Sequence, residues 1–295
     1  MRFEFMKAHS KQFPVEKMAE VLGVSRSGYY DFLHKGPSKR ALEDQGIIEE
    51  IKKAHKKSRG TYGSPRVHAE LKKQGVSCSR KRTAKLMRKE KIQAKMRKQS
   101  KRTTLQSKKV VDIAPNHLDQ QFNVEKPNKV WVSDITYVWT AEGWLYVAVV
   151  LDLFSRKVVG LSMGASLSTE LVTKALKQAL YRRGVIVNKG LMHHSDRGCQ
   201  YTSKEFREIA AVHGIELSMS AKGHCYDNAV AESFFHTLKT EETHLKHYRT
   251  REEGQSAIFE YVEVFYNRQR LHSTLGYISP ADFEEVWEKD YVLSV

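Results

Sequence analysis

The stretch that decides the fold is "VWVSDITYVWT", residues 130–140, an apolar, β-branched and aromatic run that holds a single acid, Asp134. A nearly continuous apolar run of this kind suits a strand buried on both faces of a sheet. Immediately after it, "WLYVAVVLDLFSRKVVGLSMG" (144–164) supplies two more strands, with a turn near Asp152 to Arg156. A helix follows in "STELVTKALKQALYRRG" (168–184), opened by the capping-type pair Ser168/Thr169. Next come a strand "GLMHHSD" (190–196), a helix "SKEFREIAAVHG" (203–214), a strand "IELSMS" (215–220) and a helix within 223–242. Three adjacent strands, then alternating helices and strands, is the order of a mixed α/β sheet. The segment 256–283 reads as one more helix and a Pro/Gly-punctuated tail.

Working back toward the N-terminus, the chain turns helical and basic. Residues 1–109 carry 30 Lys+Arg against 10 Asp+Glu, whereas the other 186 residues carry 20 against 24. The whole net charge of +16 therefore sits in the first third, which suggests a polyanion partner, most often nucleic acid. "VEKMAEVLGVSRSGYYDFL" (15–33) has helix-turn-helix logic: Val15, Ala19 and Leu22 share a face, Gly23 turns and Ser25 caps. A second helical block covers 47–94, in which Gly75 ends one helix and Ser79 caps the last. Lys81, Lys85 and Arg88 there form a basic stripe at i, i+4, i+7, suited to phosphates, the duller reading being a solvated lysine-rich face. Residues 96–127 read as a basic linker. The expected division is 1–45, 46–95, 96–127, 128–245 and 246–295.

Cys78, Cys199 and Cys225 form no CxxC pair, which argues against a disulfide scaffold or a cysteine-rich zinc site. No apolar run reaches the ~18 residues of a membrane span and the N-terminus lacks a signal-peptide core. A cytoplasmic, nucleoid-associated protein with no membrane partner is expected.

Asp134 inside a buried strand is costly unless it is paired or binds a cation, although a strand-end acid bonded to backbone would serve as well. Asp196 ends an apolar strand, where ligands bind in α/β folds, or else simply forms a turn before Gly198. Glu232 lies on a helix whose stripe Val230, Phe234 and Leu238 is apolar and whose other face holds Asn228, Glu232, His236 and Lys239. Two acids from strands and one from a packed helix suggest a cluster that a divalent cation neutralises. Oxygen donors point to Mg²⁺ or Mn²⁺, with two ions ~3.5–4 Å apart suited to in-line displacement at a phosphodiester.

Five motifs carry a resemblance: "RGTYGSPRVHAEL", "FNVEKPNKVWVSDITYV", "HSDRGCQYTS", "GHCYDNAVAESFFHTLKTE" and "YNRQRLHSTLGYISP". With these motifs, in this order over about residues 15–285, the chain resembles the OrfB part of insertion-sequence transposases of the group closest to retroviral integrases. The resemblance implies an α/β, RNase H-like mixed-sheet catalytic core preceded by an all-α helix-turn-helix region. It implies a DDE triad at Asp134, Asp196 and Glu232, acting catalytically and as metal ligands, with 35 residues between the last two. Lys239, seven positions after Glu232, matches a basic residue that grips DNA. His236 is expected as a polar neighbour, Asn228 and Asp227 as caps, and Asp152 as a turn residue. Arg270 and His272 match the tail motif and are expected at DNA, with packing as the other reading. The partners implied are DNA, as terminal inverted repeats and target, and further copies of the chain in a synaptic complex. In many relatives an upstream frame adds a helix-turn-helix and a zipper by frameshift. This chain starts at Met1 with no heptad repeat before the basic block, so that product is a candidate partner. A nuclease of the same fold that does not join strands, or a DNA-binding regulator, stand as alternatives.

Overall fold

The structure, a computed structural model, describes residues 1–34, 36, 38–95, 114–184, 190–220 and 228–293. At its centre is a five-stranded sheet of β1 (Val130–Thr140), β2 (Gly143–Asp152), β3 (Val158–Gly164), β4 (Met192–Ser195) and β5 (Glu216–Met219) in the order β3-β2-β1-β4-β5. β1, β2 and β3 run antiparallel, while β4 lies parallel to β1 and β5 parallel to β4. Short turns can join only antiparallel neighbours, so the two parallel strands arrive after helices: α7 (Thr169–Arg183) before β4 and α8 (Lys204–Val212) before β5. This is the mixed-sheet, RNase H-like α/β core.

One expectation about β1 needs correcting. Its first half is buried on both faces, but Tyr137 and Trp139 are exposed. The reason is the covering layer: Tyr137 and Trp139 share a face with Trp131, but the apolar cluster of α7 and α8 on that face includes Trp131 and neither of them, so they pack edge-on to Trp144 instead. Ser168 stands at the N-cap of α7, but its side chain makes no capping bond. Asp152 is fully buried at the end of β2, where its carboxylate accepts from Asn128 N (2.8 Å) and Phe154 N (3.0 Å), which is the expected turn role.

Two apolar layers flank the sheet. On one side α7 and α8 pack through Leu171, Leu176, Ala179, Phe206 and Ala210 against Trp131, Ala148 and Val150. Gly160 lets α7 approach β3, since a Cβ there would lie 2.2 Å from the Ala175 carbonyl oxygen. On the other side lies α9 (Ala229–Glu241), with Phe234 and Leu238 inward. It shares this layer with α10 (Arg251–Glu260) and a π-helical turn Tyr261–Tyr266, through Ile258, Tyr261, Val262 and Phe265. Each fully buried side chain of this size stabilises by about 1.5–3 kcal/mol. The segment after residue 245 is therefore part of the core and not a separate tail, and α11 (Pro280–Leu293) closes it with Phe283 and Trp287 on Phe154.

The N-terminal helices form two units. α1 (Arg2–Ala8), α2 (Val15–Leu22) and α3 (Arg26–His34) enclose Met6, Met18, Ala19 and Tyr29. Gly23 sits in the left-handed region at φ 60°, and Ser25 Oγ accepts from Gly28 N at 3.0 Å, the turn and cap that the helix-turn-helix pattern requires. The second unit is α4 (Lys39–Lys57), α5 (Ser64–Lys73) and α6 (Arg80–Lys89). α4 is continuous across the division drawn at 45/46, because Ile47, Ile48 and Ile51 pack with Val67, Leu71, Leu86 and Met87 in one cluster. This unit docks on the core: Tyr62 Oη donates to the Gln269 carbonyl (3.2 Å) and accepts from Leu271 N (2.7 Å). The expected linker lies mostly outside the described residues, as does Cys225, while Cys78 and Cys199 are free.

Candidate active site

β1 carries Asp134 just past the point where pairing with β4 stops, and Asp196 follows β4 directly, so both acids lie where β4 ends beside β1 in the middle of the sheet. Ile135 N donates to Asp134 Oδ1 (2.7 Å) and Gly198 N donates to Asp196 Oδ1 (2.9 Å), which orients each carboxylate. α9 lies over β1, and its polar face presents Glu232 to the same place. Burial first, then the charge of Asp196 and, less strongly, of Glu232 push Asp134 from 3.8 up to about 7; the Ile135 N–H and Lys239 oppose this. Asp196 is raised as well, by the protein around it. Like charges raise one another's pKa only at short range, so the three acids and Lys239 share one electrostatic neighbourhood.

Lys239 Nζ also stands 5.3 Å from the centroid of the Tyr137 ring, a cation–π contact beside the acids. His236 is exposed one turn along α9 from Glu232 and lines a groove of about 430 Å³ between α9 and α5, together with Arg66, Lys95 and Thr240. Asn228 occupies the N-cap of α9 without capping it; its Nδ2 donates instead to the Ser133 carbonyl (3.2 Å), which ties α9 to β1 next to Asp134. Asp227 lies outside the described residues. Beneath the acids, Ser133 Oγ and His193 Nε2 share a 2.7 Å hydrogen bond, and burial holds His193 down near 3, neutral at any working pH.

Lys81, Lys85 and Arg88 all lie on the exposed face of α6, whereas Arg82 between them is bound to Asp44 (2.8 Å) and Glu43 (3.3 Å) of α4. One DNA-binding expectation is corrected. Arg270 is only 4% exposed and its guanidinium makes two 2.8 Å bonds to the Glu241 carboxylate, which also accepts from Tyr261 Oη (2.8 Å). That geometry makes it a core ion pair. His272 is half-buried, bonds Thr274 Oγ1 (2.8 Å), and is lowered to about 4 by burial and by Arg270, Arg156 and Arg66.

The donors at the site are carboxylate oxygens, which suit a hard divalent cation. Among the described residues no three His, Cys, Asp or Glu side chains stand close enough to share one ion. Two of the acids are set where β4 ends beside β1, and Glu232 stands exposed on α9, which packs on β1.

Tyr201 is a residue that sequence reasoning passed over. Its ring is 1% exposed, set edge-on to Phe206 (5.5 Å) and beside His193 (6.1 Å). Burial, then Asp134 and Asp196, raise its phenol well above 10, and its hydroxyl has no hydrogen-bond partner among the described residues. The signal was its place five residues after Asp196 inside "HSDRGCQYTS", but an aromatic there reads as ordinary core.

Comparison with known proteins agrees with this architecture. Residues 124–225 and 232–286 match the integrase core domain family, and residues 41–100 match the HTH-like domain family, which covers α4 to α6. A 31 kDa protein of insertion element IS600 from Shigella sonnei is 46% identical over 92% of this chain and 99% of its own. The transposase InsF of insertion sequence IS3A from Escherichia coli K12 is 39% identical over 96% of this chain and 98% of its own. Among solved structures, the HTLV-2 integrase catalytic core in complex with magnesium is 17% identical with a TM-score of 0.40, covering 54% of this chain and 97% of that one. Fold, site and relatives together define a DDE-type transposase/integrase enzyme that binds DNA. Within that class the chain belongs to the insertion-sequence transposases of the IS3 InsF family.

Proposed function

We propose that the protein cuts DNA at the terminal inverted repeats of its own insertion sequence and joins the freed ends to target DNA, with Asp134, Asp196 and Glu232 as the catalytic carboxylates. The observation that carries this reading is the placement of Asp134 and Asp196 together where β4 ends beside β1, with α9 and its Glu232 packed on β1; the raised Asp134 agrees with it. Such a cluster is strained without a counter-cation, and the three side chains would hold Mg²⁺ or Mn²⁺. When bound, two such ions neutralise the charge that develops on the attacking and leaving oxygens of an in-line displacement. Asp134 then gives up its proton, because ligands bind deprotonated.

The chain's own residues divide the remaining work. The exposed stripe Lys81, Lys85 and Arg88 grips backbone phosphates of the element end, and Lys239 holds the phosphate next to the scissile ester. In the first displacement water attacks phosphorus and the 3′ oxygen leaves, freeing a 3′-hydroxyl. In the second that hydroxyl attacks a target phosphodiester and the target's 3′ oxygen leaves. Neither step needs a nucleophilic side chain, so no covalent protein–DNA intermediate forms. Bringing two ends together requires more than one copy, and an upstream-frame product would add contacts to the ends.

The test is strand transfer on labelled DNA bearing the element's ends, with Mg²⁺ or Mn²⁺, for wild type and Glu232→Gln at matched DNA binding. Metal-dependent joining that is lost in the variant supports the reading. Cleavage without joining would make the protein a nuclease, and binding without chemistry in the wild type would make it a regulator or leave the upstream product as an obligatory part.

A further inference from the structure

A buried hydroxyl with no partner costs stability, so a chain that keeps one at its active site has a use for it in another state of the site. Tyr201 is such a case. Removing its oxygen would leave a phenylalanine in the same apolar surroundings: Phe206 edge-on, His193 alongside, and a ring that is 1% exposed. Packing therefore explains the ring and not the hydroxyl. The turn that carries it starts at Asp196, whose Oδ1 accepts from Gly198 N, and Tyr201 N donates in turn to the Gly198 carbonyl (3.0 Å). This short closed turn fixes the distance between the outward carboxylate and the inward phenol. A Cβ on Gly198 would meet Asp196 Oδ1 at 3.0 Å and Tyr201 Cδ2 at 3.6 Å, so carboxylate and ring flank one glycine, and the hydroxyl has no hydrogen-bond partner among the described residues.

We infer that Tyr201 is a positioning residue: its hydroxyl is the reserved donor for one of the two sheet carboxylates, Asp134 or Asp196, once that carboxylate turns onto a divalent cation. The inference rests on the reading of the acids as metal ligands. In the metal-free site the ordering bonds come from backbone, Ile135 N to Asp134 and Gly198 N to Asp196. A carboxylate that swings one oxygen toward a cation presents the other to its surroundings. In this pocket the waiting donor is the buried, unpartnered phenol. Partners of this kind fix the ligand's orientation, and removing one costs metal affinity about 10–100-fold.

The experiment is titration calorimetry with Mn²⁺ alone on the full chain, wild type and Tyr201→Phe, alongside thermal unfolding of both without metal. The expected result is a split. The Mn²⁺ association constant falls about 10-fold or more in the variant, while its metal-free melting temperature stays level or rises, because an unpartnered hydroxyl has left the core. An unchanged Mn²⁺ isotherm, with the wild type binding normally, would overturn the inference and leave the reading of the acids intact. A lower melting temperature without metal would overturn it too, by showing that the hydroxyl is already at work as a structural bond. A wild type that binds no Mn²⁺ would remove the reading of the acids themselves, and this inference with it.

Discussion

Replacing Asp134 by Asn should make the metal-free protein more stable while abolishing its chemistry. The carboxyl ordinarily titrates at 3.8 and here at about 7, mainly through burial and secondarily through Asp196 and Glu232. At about 1.4 kcal/mol for each tenfold change in proton affinity, holding it ionised at pH 8 costs up to about 4 kcal/mol. The side chain is only half-buried, and solvent screening reduces this to about 2–3 kcal/mol. Asn removes the charge and keeps an oxygen to accept from Ile135 N, so the backbone bond survives. At about 2–3 °C per kcal/mol for a chain of this size, the melting temperature should rise by roughly 4–8 °C at pH 8.

The sign follows from linkage. Because the folded value is above the unfolded one, the native state binds more protons between about pH 4 and pH 7, so wild-type stability falls as pH rises through that window and levels off above it. Below pH 4 the carboxyl is protonated in both states and the Asn variant has nothing to gain. The assay is thermal unfolding of both proteins from pH 4 to pH 8 without metal, repeated at pH 8 with Mn²⁺. The advantage of the variant should grow with pH, then shrink or reverse with Mn²⁺, since ligand binding stabilises the wild type by about 2.7 kcal/mol at a hundredfold excess over Kd. A variant that is less stable at pH 8, or an advantage that does not change with pH, would refute the account of the acid cluster.

Three other outcomes are expected. Glu241→Gln strands the Arg270 guanidinium in the core and should cost about 3–5 kcal/mol in urea unfolding, whereas exchanging both partners for apolar residues should cost far less; equal losses would show that the pair is not buried in solution. The triple change Lys81→Ala, Lys85→Ala, Arg88→Ala should weaken binding evenly across DNA sequences and flatten the salt dependence by about one unit of slope per lost phosphate contact, with the melting temperature unchanged; an unchanged slope would remove α6 from the DNA interface. Gly160→Ala should destabilise by more than about 3 kcal/mol or prevent soluble expression, since the new methyl meets the Ala175 carbonyl at 2.2 Å and neither β3 nor α7 can move without its layer. A variant of normal stability would show that the two elements stand further apart.

The order of strands and helices was legible because local patterns carry it. β1 to β3 are apolar runs with a turn at Asp152, and the helices show their caps and stripes at Gly23, Ser79 and Phe234. The acids were legible as chemistry, since a carboxylate in an apolar strand demands a reason; their grouping is tertiary, so the residues could only suggest it and the motif resemblance imply it. What escaped were properties that depend on the far side of a contact. Arg270 looks like a phosphate ligand until Glu241, 29 positions earlier on α9, turns out to bind it. Tyr137 and Trp139 look buried until the layer of α7 and α8 proves not to reach them. In the same way, sequence spacing cannot say that Asp196 stands exposed while Tyr201, five residues on, is buried. Both belong to one turn of "HSDRGCQYTS", and the turn's closed backbone bonds hold one out and the other in. A motif is therefore best read as a pair of faces: the residues that touch substrate are written beside the residues that aim them, and only burial separates the two.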